Sequence, residues 1–512
     1  MSSSDEMSID DAAADDGNNK QQQQTKIRVS FHLSPSVRHN RHQLELPSEP
    51  MAVPSNIRKR GLSAIVNHLL DRGDKDDDDS ASDSDDDDDD EKLPAIPFDF
   101  LLNDKLLRLP LDSAARNMGL STEHALELQY FPARLPPKKE GESEQLPDWI
   151  IVMDYNNDHQ MLFSGGADGV IRTFEQHAKE KGGELKSASS ISAHTGPIKC
   201  MSSLTDVSNE NLTYIATGSM DQTLVTHAYN SKKDELKLHA VYSGGHTNSI
   251  SSVALAGCHG AADGKQIMAS GDWDGGLAIW NVPGSSNDDD EGDTTGSKSS
   301  SKKRKGNNSN STASSSSNKG GTIQEVQPIQ SLRAHSSNIS GLAWGYNNNS
   351  GSSSSSSLPS TLLTGSWDHG LKVYDVSRMD CILALNGSRV VTSLSRCSNS
   401  DVVATGSPDC TVRLWDMRTN GDGSSGSQIA DKTLRQSHKS WVSAIQWSPT
   451  DPFVLATTSH DGTLKVWDIR SSLPLHTVRA TTNKGDKSLC LAFGDGFIYS
   501  GGSDCVVKKF AL

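Results

Sequence analysis

The feature that most constrains this chain is a short phrase that recurs seven times after residue 162. Each copy has two or three small residues, a variable residue, an Asp and then alternating apolar positions. An aromatic residue follows six places after the Asp in every copy but one, which has His227 instead. Alternation with period two indicates β-strands, and the Asp marks a tight hairpin turn. Seven such hairpins predict a β-propeller with seven blades. The turn aspartates are Asp168, Asp221, Asp274, Asp368, Asp409, Asp461 and Asp504.

A second element lies between some of the copies and supplies a histidine, as in AHTGPI and SHKSWV. A His 23 to 33 residues before the turn Asp resembles the WD40 repeat signature. In that family the His, a strand Ser or Thr, the turn Asp and the aromatic residue hydrogen-bond within one blade. The sets predicted in this way are His194, Thr217 and Asp221; His246, Ser270, Asp274 and Trp280; His335, Thr364, Asp368 and Tyr374; and His438, Thr457, Asp461 and Trp467.

These sets could be mistaken for Ser-His-Asp hydrolase triads. A catalytic triad occurs once, beside an oxyanion hole, whereas this constellation recurs blade after blade. A buried carboxylate is costly unless it accepts several hydrogen bonds, which the imidazole and hydroxyl groups supply. We therefore predict a structural role, no enzymatic activity and no cofactor.

Two irregularities in the repeat bear on domain organisation. The turn aspartates are 41 to 53 residues apart except for one interval of 94 residues, between Asp274 and Asp368. Residues 284–321 account for the excess and are too rich in Ser, Asn and Lys to pack, so they are expected to be disordered. The last blade lacks its outer strand, and residues 133–147, a linker, are expected to supply it from within 134–145. The propeller itself is expected to span 148–512.

Residues 26–132 predict a different fold. KIRVSFHL and QLELP read as strands, and GLSAIVNHLL as a helix with one apolar face. PFDFLL, KLLRL, a short helix from Leu111 to Met118 and a last strand, ALELQYF, follow. This order is that of a ubiquitin-like β-grasp domain, so the predicted fold class is an α+β ubiquitin-like β-grasp domain followed by an all-β seven-bladed WD40 β-propeller. The helix residues predicted to share the apolar face are Leu62, Ile65, Val66, Leu69 and Leu70.

The net charge of −16 is concentrated in two acidic segments. Residues 1–20 contribute −5 and residues 74–91 contribute −12, while the insert at 284–320 contributes +1. The rest of the chain is neutral, which disfavours a dedicated nucleic-acid binder. Residues 1–25 are expected to be disordered. The acidic insert at 73–92 is interpreted as a disordered surface loop, with a partner-binding or histone-chaperone-like role as the alternative.

Cysteine usage and the N-terminus indicate the compartment. The seven cysteines are an odd number without a C-x-x-C pair, which favours reduced thiols over disulfides or a zinc site. The N-terminus is acidic and lacks the apolar core of a signal peptide. No apolar run approaches the ~18 residues of a membrane span. We expect a soluble, intracellular protein that does not bind a membrane.

With both domains in view, the sequence resembles the Ytm/WDR family of ribosome biogenesis proteins. The segments that carry the resemblance are RKRGLSAIVNHLL (58–70), PFDFLL (97–102), LLRLPL (106–111) and GLSTEHALELQY (119–130), followed by the WD repeats. The resemblance implies a nucleolar and nucleoplasmic factor for pre-ribosomal RNA processing and maturation of the large ribosomal subunit. Two alternatives are a Notchless-like factor, whose propeller has eight blades, and a WD40 substrate receptor of a ubiquitin ligase, for which no F-box is found.

The same resemblance implies partners. The propeller would bind a block-of-proliferation-type WD protein, and through it a pescadillo homologue, in the complex called PeBoW in animals. The ubiquitin-like domain would bind the MIDAS domain of a midasin-type AAA-ATPase on pre-ribosomal particles. In that family an acidic loop residue, here Glu123, completes the Mg²⁺ site of the MIDAS domain in trans, since Mg²⁺ prefers oxygen ligands. Direct contact with RNA is left open.

Two further groups of residues are candidates for binding. A basic cluster in the insert reads as a nuclear localisation signal, with a solubilising charge patch as the alternative. Three tryptophans are expected near the central channel, either as a protein-binding hot spot or packed between blades. The cluster is Lys302, Lys303, Arg304 and Lys305, and the tryptophans are Trp273, Trp367 and Trp441.

Overall fold

The structure is a computed structural model that describes residues 26–37, 41–72, 94–175, 184–206, 209–257, 266–284, 324–345, 359–387, 389–398, 400–417, 432–434, 437–494 and 496–512. Its contacts divide the chain into two compact units, residues 1–134 and 135–512. In the described parts, no helix is both long and apolar enough to cross a membrane.

The first unit is a five-stranded sheet with two helices. Its elements are β1 (Lys26–Leu33), β2 (Met51–Pro54), α1 (Lys59–Leu69), β3 (Phe98–Leu102), β4 (Lys105–Leu106), α2 (Leu111–Asn117) and β5 (Leu126–Pro132), with a 3₁₀ turn at Arg41–Gln43. The sheet order is β2-β1-β5-β3-β4, and the first and last strands, β1 and β5, pair in parallel at its centre. This is the β-grasp arrangement expected from the sequence.

The core of this unit follows from the alternation in the strands and the apolar stripe of α1. Ile27, Val29 and Phe31 of β1 are buried, and they pack in one cluster with Leu62 and Val66 of the helix. The predicted apolar face is less uniform than expected, because Leu69 at the end of α1 is 41% exposed. The buried face is therefore carried by Leu62 and Val66, with Ile65 and Leu70 partly buried against the same core.

The second strand of this unit is not where the sequence placed it. QLELP, residues 43–47, was predicted as a strand, but the strand that pairs with β1 is β2, further along the chain. The segment is instead held by Tyr130 of β5, whose hydroxyl donates to the Leu44 carbonyl at 2.5 Å and accepts from the Leu46 N–H at 3.1 Å. The QLELP prediction was wrong because these backbone groups bond to a side chain rather than to a neighbouring strand.

The second unit contains seven sheets among its described residues, each forming one blade. The first three strands of blades 1 to 4 are Ile150–Asn156, Met161–Gly166 and Val170–Glu175; Ile198–Thr205, Leu212–Ser219 and Leu224–Asn230; Ile250–Gly257, Gln266–Asp272 and Gly276–Val282; and Ile339–Gly345, Thr361–Ser366 and Gly370–Asp375. Those of blades 5 to 7 are Ser393–Arg396, Val402–Gly406 and Val412–Asp416; Val442–Trp447, Val454–Ser459 and Thr463–Asp468; and Ser488–Phe493, Phe497–Gly502 and Lys508–Ala511.

An outer strand completes each blade. For blades 1 to 6 the outer strands are Ser187–Ser192, Glu235–Tyr242, Gln330–Arg333, Asp380–Asn386, Lys432–Leu434 and His476–Arg479. Blade 2 gains a further short strand, Gln324–Val326, which pairs in parallel with Glu235–Tyr242. The predicted insert at 284–321 falls between the third and outer strands of blade 3, and all but its first residue lies outside the described residues.

The outer strand of blade 7 comes from the other end of the propeller sequence. Lys138–Ser143, which precedes blade 1, pairs antiparallel with Lys508–Ala511, the third strand of blade 7. This strand lies within residues 134–145, where the sequence analysis expected a closing strand. A sheet edge that would otherwise be open is covered, and the first and last blades are joined through it. A two-residue strand, Glu184–Leu185, extends the same sheet.

Candidate functional site

The turn carboxylates are the first group of candidate residues, and blade 6 gives their arrangement most fully. The His438 Nδ1–H donates to the Asp461 carboxylate at 3.3 Å, and its Nε2 lies 2.8 Å from the Thr457 hydroxyl. The Trp467 indole N–H donates to the same hydroxyl at 2.9 Å. The Lys439 N–H also donates to Asp461, at 2.8 Å. This network satisfies the buried polar groups of His438, Thr457 and Trp467 and supplies donors to Asp461.

Blades 2 and 4 form related networks with one difference each. His335 contacts Asp368 at 2.9 Å and Thr364 at 2.8 Å, but the Tyr374 hydroxyl donates to the Ala334 carbonyl at 2.9 Å instead of joining them. Tyr374 is therefore not part of the predicted set, because its hydroxyl reaches past Thr364 to the backbone.

In blade 2 a second threonine relays the contact between histidine and carboxylate. His194 lies 2.9 Å from Thr217 and 2.7 Å from the Thr223 hydroxyl, which in turn donates to Asp221 at 2.5 Å. The direct separation of His194 Nδ1 and the Asp221 carboxylate is 3.4 Å. His227 takes the aromatic position of this blade and is buried, so the blade holds two buried histidines.

In blade 3 the histidine bonds to a different aspartate from the predicted one, Asp274. His246 bonds to Asp272 at 3.0 Å and to Ser270 at 2.5 Å, and Trp280 also donates to Ser270. The predicted partner, Asp274, is exposed and accepts from the Asn248 side chain instead, at 3.1 Å. Asp272 is 4% exposed at the end of a strand. The histidine therefore compensates the carboxylate that water cannot reach.

Three residues that the sequence analysis missed neutralise the turn carboxylates of blades 1, 5 and 7. These blades carry no histidine element, and a basic residue four places after the Asp approaches the carboxylate instead. The contacts are Arg172 to Asp168 at 2.5 Å, Arg413 to Asp409 at 2.6 Å and Lys508 to Asp504 at 2.5 Å. The signal was present in the sequence as ADGVIR, PDCTVR and SDCVVK.

Both kinds of network lower the pKa of the turn carboxylate, but only the histidine network adds a second titratable group. Burial alone would raise the pKa of Asp368, but the Ser336 N–H and His335 outweigh it and lower that pKa to about 2. Burial lowers the pKa of His335 more than Asp368 raises it, so the imidazole favours its neutral form. In blade 5, burial is outweighed by Arg413, and the pKa of Asp409 is lowered too.

Tryptophans form the second group of candidate residues, at one end of the channel. In each blade, strand 1 pairs antiparallel with strand 2, so the residue before strand 1 and the residue after strand 2 lie at the same end. A backbone hydrogen bond joins the two positions: the Trp273 N–H donates to Ser249, the Trp367 N–H to Asn338 and the His460 N–H to Trp441.

The predicted tryptophans are brought together in part. The Trp273 and Trp367 rings contact each other edge to face at 5.0 Å, whereas Trp441 stacks on His460 at 5.9 Å. Trp273 and Trp441 remain 45% and 47% exposed. All three line a cavity of about 740 Å³ that residues of all seven blades enclose. Trp149, which is 50% exposed and lines the same cavity, was missed, although it precedes strand 1 of its blade as Trp441 does.

Glu123 lies in the loop between α2 and β5 of the first unit. Gly119, with φ +68°, ends the helix in the left-handed conformation that glycine tolerates. Glu123 is exposed, and its N–H donates to the Ser121 hydroxyl at 3.3 Å. Within the described residues, no group of three His, Cys, Asp or Glu side chains could hold a metal ion. The basic cluster, residues 302–305, and the acidic run, residues 74–91, lie outside the described residues.

Comparison with known proteins gives the same two-part organisation. The family model of the NLE (NUC135) domain matches residues 37–115. The model of the WD domain, G-beta repeat, matches residues 185–225, 237–281, 326–375, 379–416 and 431–468. These ranges include the turn aspartates of blades 2 to 6.

Relatives match along most of the chain. It is 30% identical over 494 residues to the Ribosome biogenesis protein WDR12 homolog of Chlamydomonas reinhardtii, covering 91% of this chain and 94% of that protein. The homolog of Oryza sativa subsp. japonica is 28% identical over 90% of this chain and 92% of its own. Ribosome biogenesis protein YTM1 of Candida glabrata is 26% identical, and the match covers 94% of this chain and 96% of that protein.

Proposed function

Because the chain belongs to the WDR12/YTM1 family of ribosome biogenesis proteins, we propose that it is a non-enzymatic assembly factor for the large ribosomal subunit, required for pre-ribosomal RNA processing. The observation that carries the proposal is the match to these relatives, which covers nine-tenths of the chain and includes both compact units. The factor would act in the nucleus, in both nucleolus and nucleoplasm.

The propeller would bind a block-of-proliferation-type WD protein and, through it, a pescadillo homologue. Exposed tryptophans at the channel end support a protein-binding surface, since large aromatic side chains dominate interface energetics. In the described residues a histidine or a basic side chain holds the turn carboxylate of every blade except blade 3, where Asp274 accepts from Asn248. This recurrence supports a scaffold rather than a hydrolase. Seven blades favour this family over the eight-bladed Notchless-like alternative.

The β-grasp unit would bind the MIDAS domain of a midasin-type ATPase through Glu123. The residue fits a ligand supplied in trans, because its carboxylate is exposed and no ion pair among the described residues occupies it. A Mg²⁺ ion held by the partner accepts oxygen ligands in near-octahedral geometry, and one exposed carboxylate fills one position. The factor would thereby connect a PeBoW-type complex to the ATPase.

Affinity purification of the tagged full chain from nuclear extract, followed by mass spectrometry, tests the scaffold function. Recovery of pescadillo and block-of-proliferation homologues with large-subunit precursors is the expected result. Recovery of a cullin ligase core in their place would establish the substrate-receptor alternative and overturn the proposal.

Calorimetry tests Glu123 directly, with the full chain titrated by a MIDAS fragment in Mg²⁺ or in EDTA. Glu123→Gln keeps the size of the side chain but removes its charge, and Glu123→Asp withdraws the carboxylate by about 1.5 Å. Both should weaken binding severely in Mg²⁺. Glu127→Gln, an exposed glutamate on β5, is the matched control and should bind normally. Tight binding that persists in EDTA or in Glu123→Gln would show that this carboxylate does not ligate the metal.

Nuclear import would depend on the basic cluster of the insert. Deleting residues 301–305 should move the tagged protein to the cytoplasm, because four consecutive bases are lost. Deleting an uncharged stretch of the same length from the same insert, residues 313–317 (ASSSS), is the control. A 301–305 deletion that stays fully nuclear would assign import to a bound partner.

A further inference from the structure

The outer strands of the propeller differ in what they leave for another strand to pair with. The outer side of such a strand carries backbone N–H and C=O groups, and proteins protect these edges by covering them or by keeping them short or charged. Two outer strands are covered: Gln324–Val326 lies beside the outer strand of blade 2 and Glu184–Leu185 beside that of blade 7, each in parallel. This propeller therefore already accepts an added strand at its outer edge.

Five outer strands have no such cover among the described residues, and four of them are polar or short. Ser187–Ser192 of blade 1 contains four serines. The outer strands of blades 3 and 6 have four residues each and end on an arginine. That of blade 5 has three residues and begins with a lysine. The exception is Asp380–Asn386 of blade 4, which we call the blade 4 edge.

The blade 4 edge is long and apolar. It has seven residues, DCILALN, with five consecutive apolar ones from Cys381 to Leu385 and neither a proline nor a basic residue. Ile382 is 59% exposed, and Cys381 and Ala384 are exposed beside it. An uncovered strand of this length and composition is a site to which another strand can add.

The blade 4 edge has the same local geometry as the covered strand of blade 2. In blade 2 a β-bulge leaves His239 without a partner residue on the neighbouring strand, and the residues after it, Ala240–Tyr242, pair with the added strand. In blade 4 a bulge leaves Ile382 without a partner residue, and Leu383–Leu385 follow. Both bulges lie opposite the position six places after the turn Asp. The two segments therefore correspond residue for residue.

Backbone hydrogen bonds show which amides of the blade 4 edge face outward. The Gly387 N–H, just after the strand, donates inward to the His369 carbonyl at 2.8 Å. Because successive N–H groups of a strand point to opposite sides, those of Asn386 and Ala384 face outward. The residue of blade 2 that corresponds to Asn386 is Ser243, whose N–H donates to a carbonyl of the added strand at 3.1 Å. The blade 4 edge offers the same kind of donor at the same place.

We propose that the blade 4 edge binds an extended segment of a partner protein as an added parallel strand. The segment would pair with Leu383–Leu385 as Gln324–Val326 pairs in blade 2. In blade 2, Val326 lies opposite Tyr242 and is partly buried against the core. The partner segment is therefore expected to carry a β-branched or other apolar side chain opposite Leu385.

The pairing geometry favours a partner segment over a second copy of this chain. Two copies related by a two-fold axis would pair these edges antiparallel, whereas both strands added in this propeller run parallel. The strand contains one charged residue, Asp380, so main-chain hydrogen bonds and apolar contacts would supply the affinity rather than charge. Such a site would exist whether or not the chain acts in ribosome assembly.

The test uses the full chain as bait for a phage library of random linear decapeptides, and a synthetic copy of an enriched peptide is the probe. Enriched peptides should carry Val, Ile, Thr or aromatic residues at alternate positions. The bound peptide should slow amide exchange in Asp380–Asn386. Methylating the peptide amides one at a time should weaken binding about tenfold at every second position only, because alternate amides face the edge.

A proline substitution tests the edge itself. Ala384→Pro removes an outward N–H, which an edge strand tolerates, and should weaken binding of the same peptide about tenfold. Ala384→Val keeps the N–H and should bind the peptide as the parent does. Thr477→Pro, on the outer strand of blade 6, is the matched control. The Ala480 N–H donates inward there, so the N–H of Thr477 faces outward too, and peptide binding should not change.

Several results would overturn the proposal: no enrichment, a methylation pattern without a period of two, or tight binding to Ala384→Pro. A dimer of the free chain that Ala384→Pro dissociates would assign the edge to a second copy. Slow exchange of Ala384 and Asn386 in the free chain would show that another segment of the same chain covers them. None of these outcomes affects recovery of pre-ribosomal partners from nuclear extract, which tests the proposed function separately.

Discussion

Blades 2, 3, 4 and 6 differ from blades 1, 5 and 7 in how they neutralise a carboxylate at the same turn. The first group uses a histidine from the loop before strand 1, as His438 does for Asp461. The second group uses a basic residue four places after the Asp, as Lys508 does for Asp504. Each solution satisfies the carboxylate, but the first depends on a titratable group and the second on a permanent charge. One architecture therefore contains blades with different responses to acid and to substitution.

The difference also separates the blades by how costly their networks are to break. A histidine network is a chain of neutral and charge-assisted hydrogen bonds, in which each lost partner strands one group. A buried ion pair that loses one member leaves a full charge without compensation. The side chains of Lys508 and Asp504 are only 3% and 2% exposed, whereas Arg413 and Asp409 are 16% and 25% exposed. Blade 7 should consequently be the most sensitive member of the second group.

The largest effect is expected for Lys508→Met, which keeps the length of the side chain but leaves Asp504 buried and unpaired. Breaking a buried pair in this way typically costs about 3–5 kcal/mol. Hydrogen exchange of the full chain, read by mass spectrometry over blade 7, measures the local loss. The double variant Asp504→Asn with Lys508→Met should recover much of it, because the uncompensated charge is gone. Lys237→Met, whose pair with Glu235 is exposed, should change little. A loss below about 1 kcal/mol would contradict the comparison.

The next largest loss of stability is expected for one of two aspartates of blade 3, Asp272 and Asp274, which lie two residues apart. Asp272 accepts from His246 and from the Gly276 N–H at 2.7 Å, so Asp272→Ala should cost about 1–3 kcal/mol for each stranded group. Asp274→Ala, the matched control, removes only an exposed contact and should stay within about 0.5 kcal/mol. Local exchange over blade 3 again gives the measurement. Equal losses of stability in Asp272→Ala and Asp274→Ala would contradict this prediction and indicate that Asp274 also belongs to the hydrogen-bond network.

These residues also show what the sequence could and could not predict. The seven blades and the β-grasp order followed from repeated phrases and apolar periodicity, because those patterns determine which faces are buried. Asp274 was predicted because Trp280 follows it six places on, as the phrase requires. Asp272 does not have that spacing, and only its burial in the folded blade shows that it is the carboxylate in need of a partner. QLELP alternates like a strand, but pairing with Tyr130 is a tertiary contact. Arg172 and Arg413 occupy ordinary strand positions in the sequence. Their role as partners of the turn carboxylates is indicated only by the absence of a histidine element in the same blade. The role of Glu123 came from resemblance alone and stays a prediction.

Mild acid should loosen the histidine blades before the cation blades. Burial lowers the pKa of His194, His335 and His438. A histidine with a lowered folded pKa adds stability above its unfolded pKa of about 6.5, and that stability is lost as pH falls below it. The lowered pKa of Asp168 and Asp409 acts only below the ordinary carboxyl range, near pH 4. Between pH 7.5 and 5, blades 2, 4 and 6 should therefore lose protection that blade 5 keeps.

Blade 2 should respond most, because it holds a second buried histidine. Burial, with a smaller contribution from His194, lowers the pKa of His227 to about 4. Because the unfolded chain binds a proton at pH 5 and the buried imidazole does not, His227 lowers the free energy of unfolding by about 2 kcal/mol at that pH. His227→Phe matches the aromatic residue of blades 1 and 7 and should reduce the response of blade 2 to that of blades 4 and 6. Rate-corrected hydrogen exchange at the two pH values is the measurement. Uniform loss across all seven blades would mean that the histidines do not set the response.

The smallest effect, with the opposite sign, is expected at a carboxylate that has neither kind of partner. Asp154 of blade 1 accepts from the Ser203 N–H at 2.6 Å and from its hydroxyl at 2.7 Å, which joins blade 1 to blade 2. Burial raises its pKa to about 6 despite these bonds. A raised carboxyl pKa means that the folded state binds the proton more tightly, so stability falls as pH rises from about 4 to about 6 and stays lower above it.

Asp154→Asn should therefore stabilise the joint between blades 1 and 2 at pH 7.5, because the amide oxygen still accepts from Ser203 without carrying a buried charge. At full strength the raised pKa corresponds to about 3 kcal/mol, and partial exposure of Asp154 to water reduces this to about 1 kcal/mol. Near pH 4 the variant and the parent should be equal, since Asp154 is then protonated. Asp154→Ala, which loses the acceptor, should destabilise the joint at both pH values. Exchange over strand Ile198–Thr205 reports the joint, and an Asn variant less protected than the parent at pH 7.5 would show that the charge is favourable there.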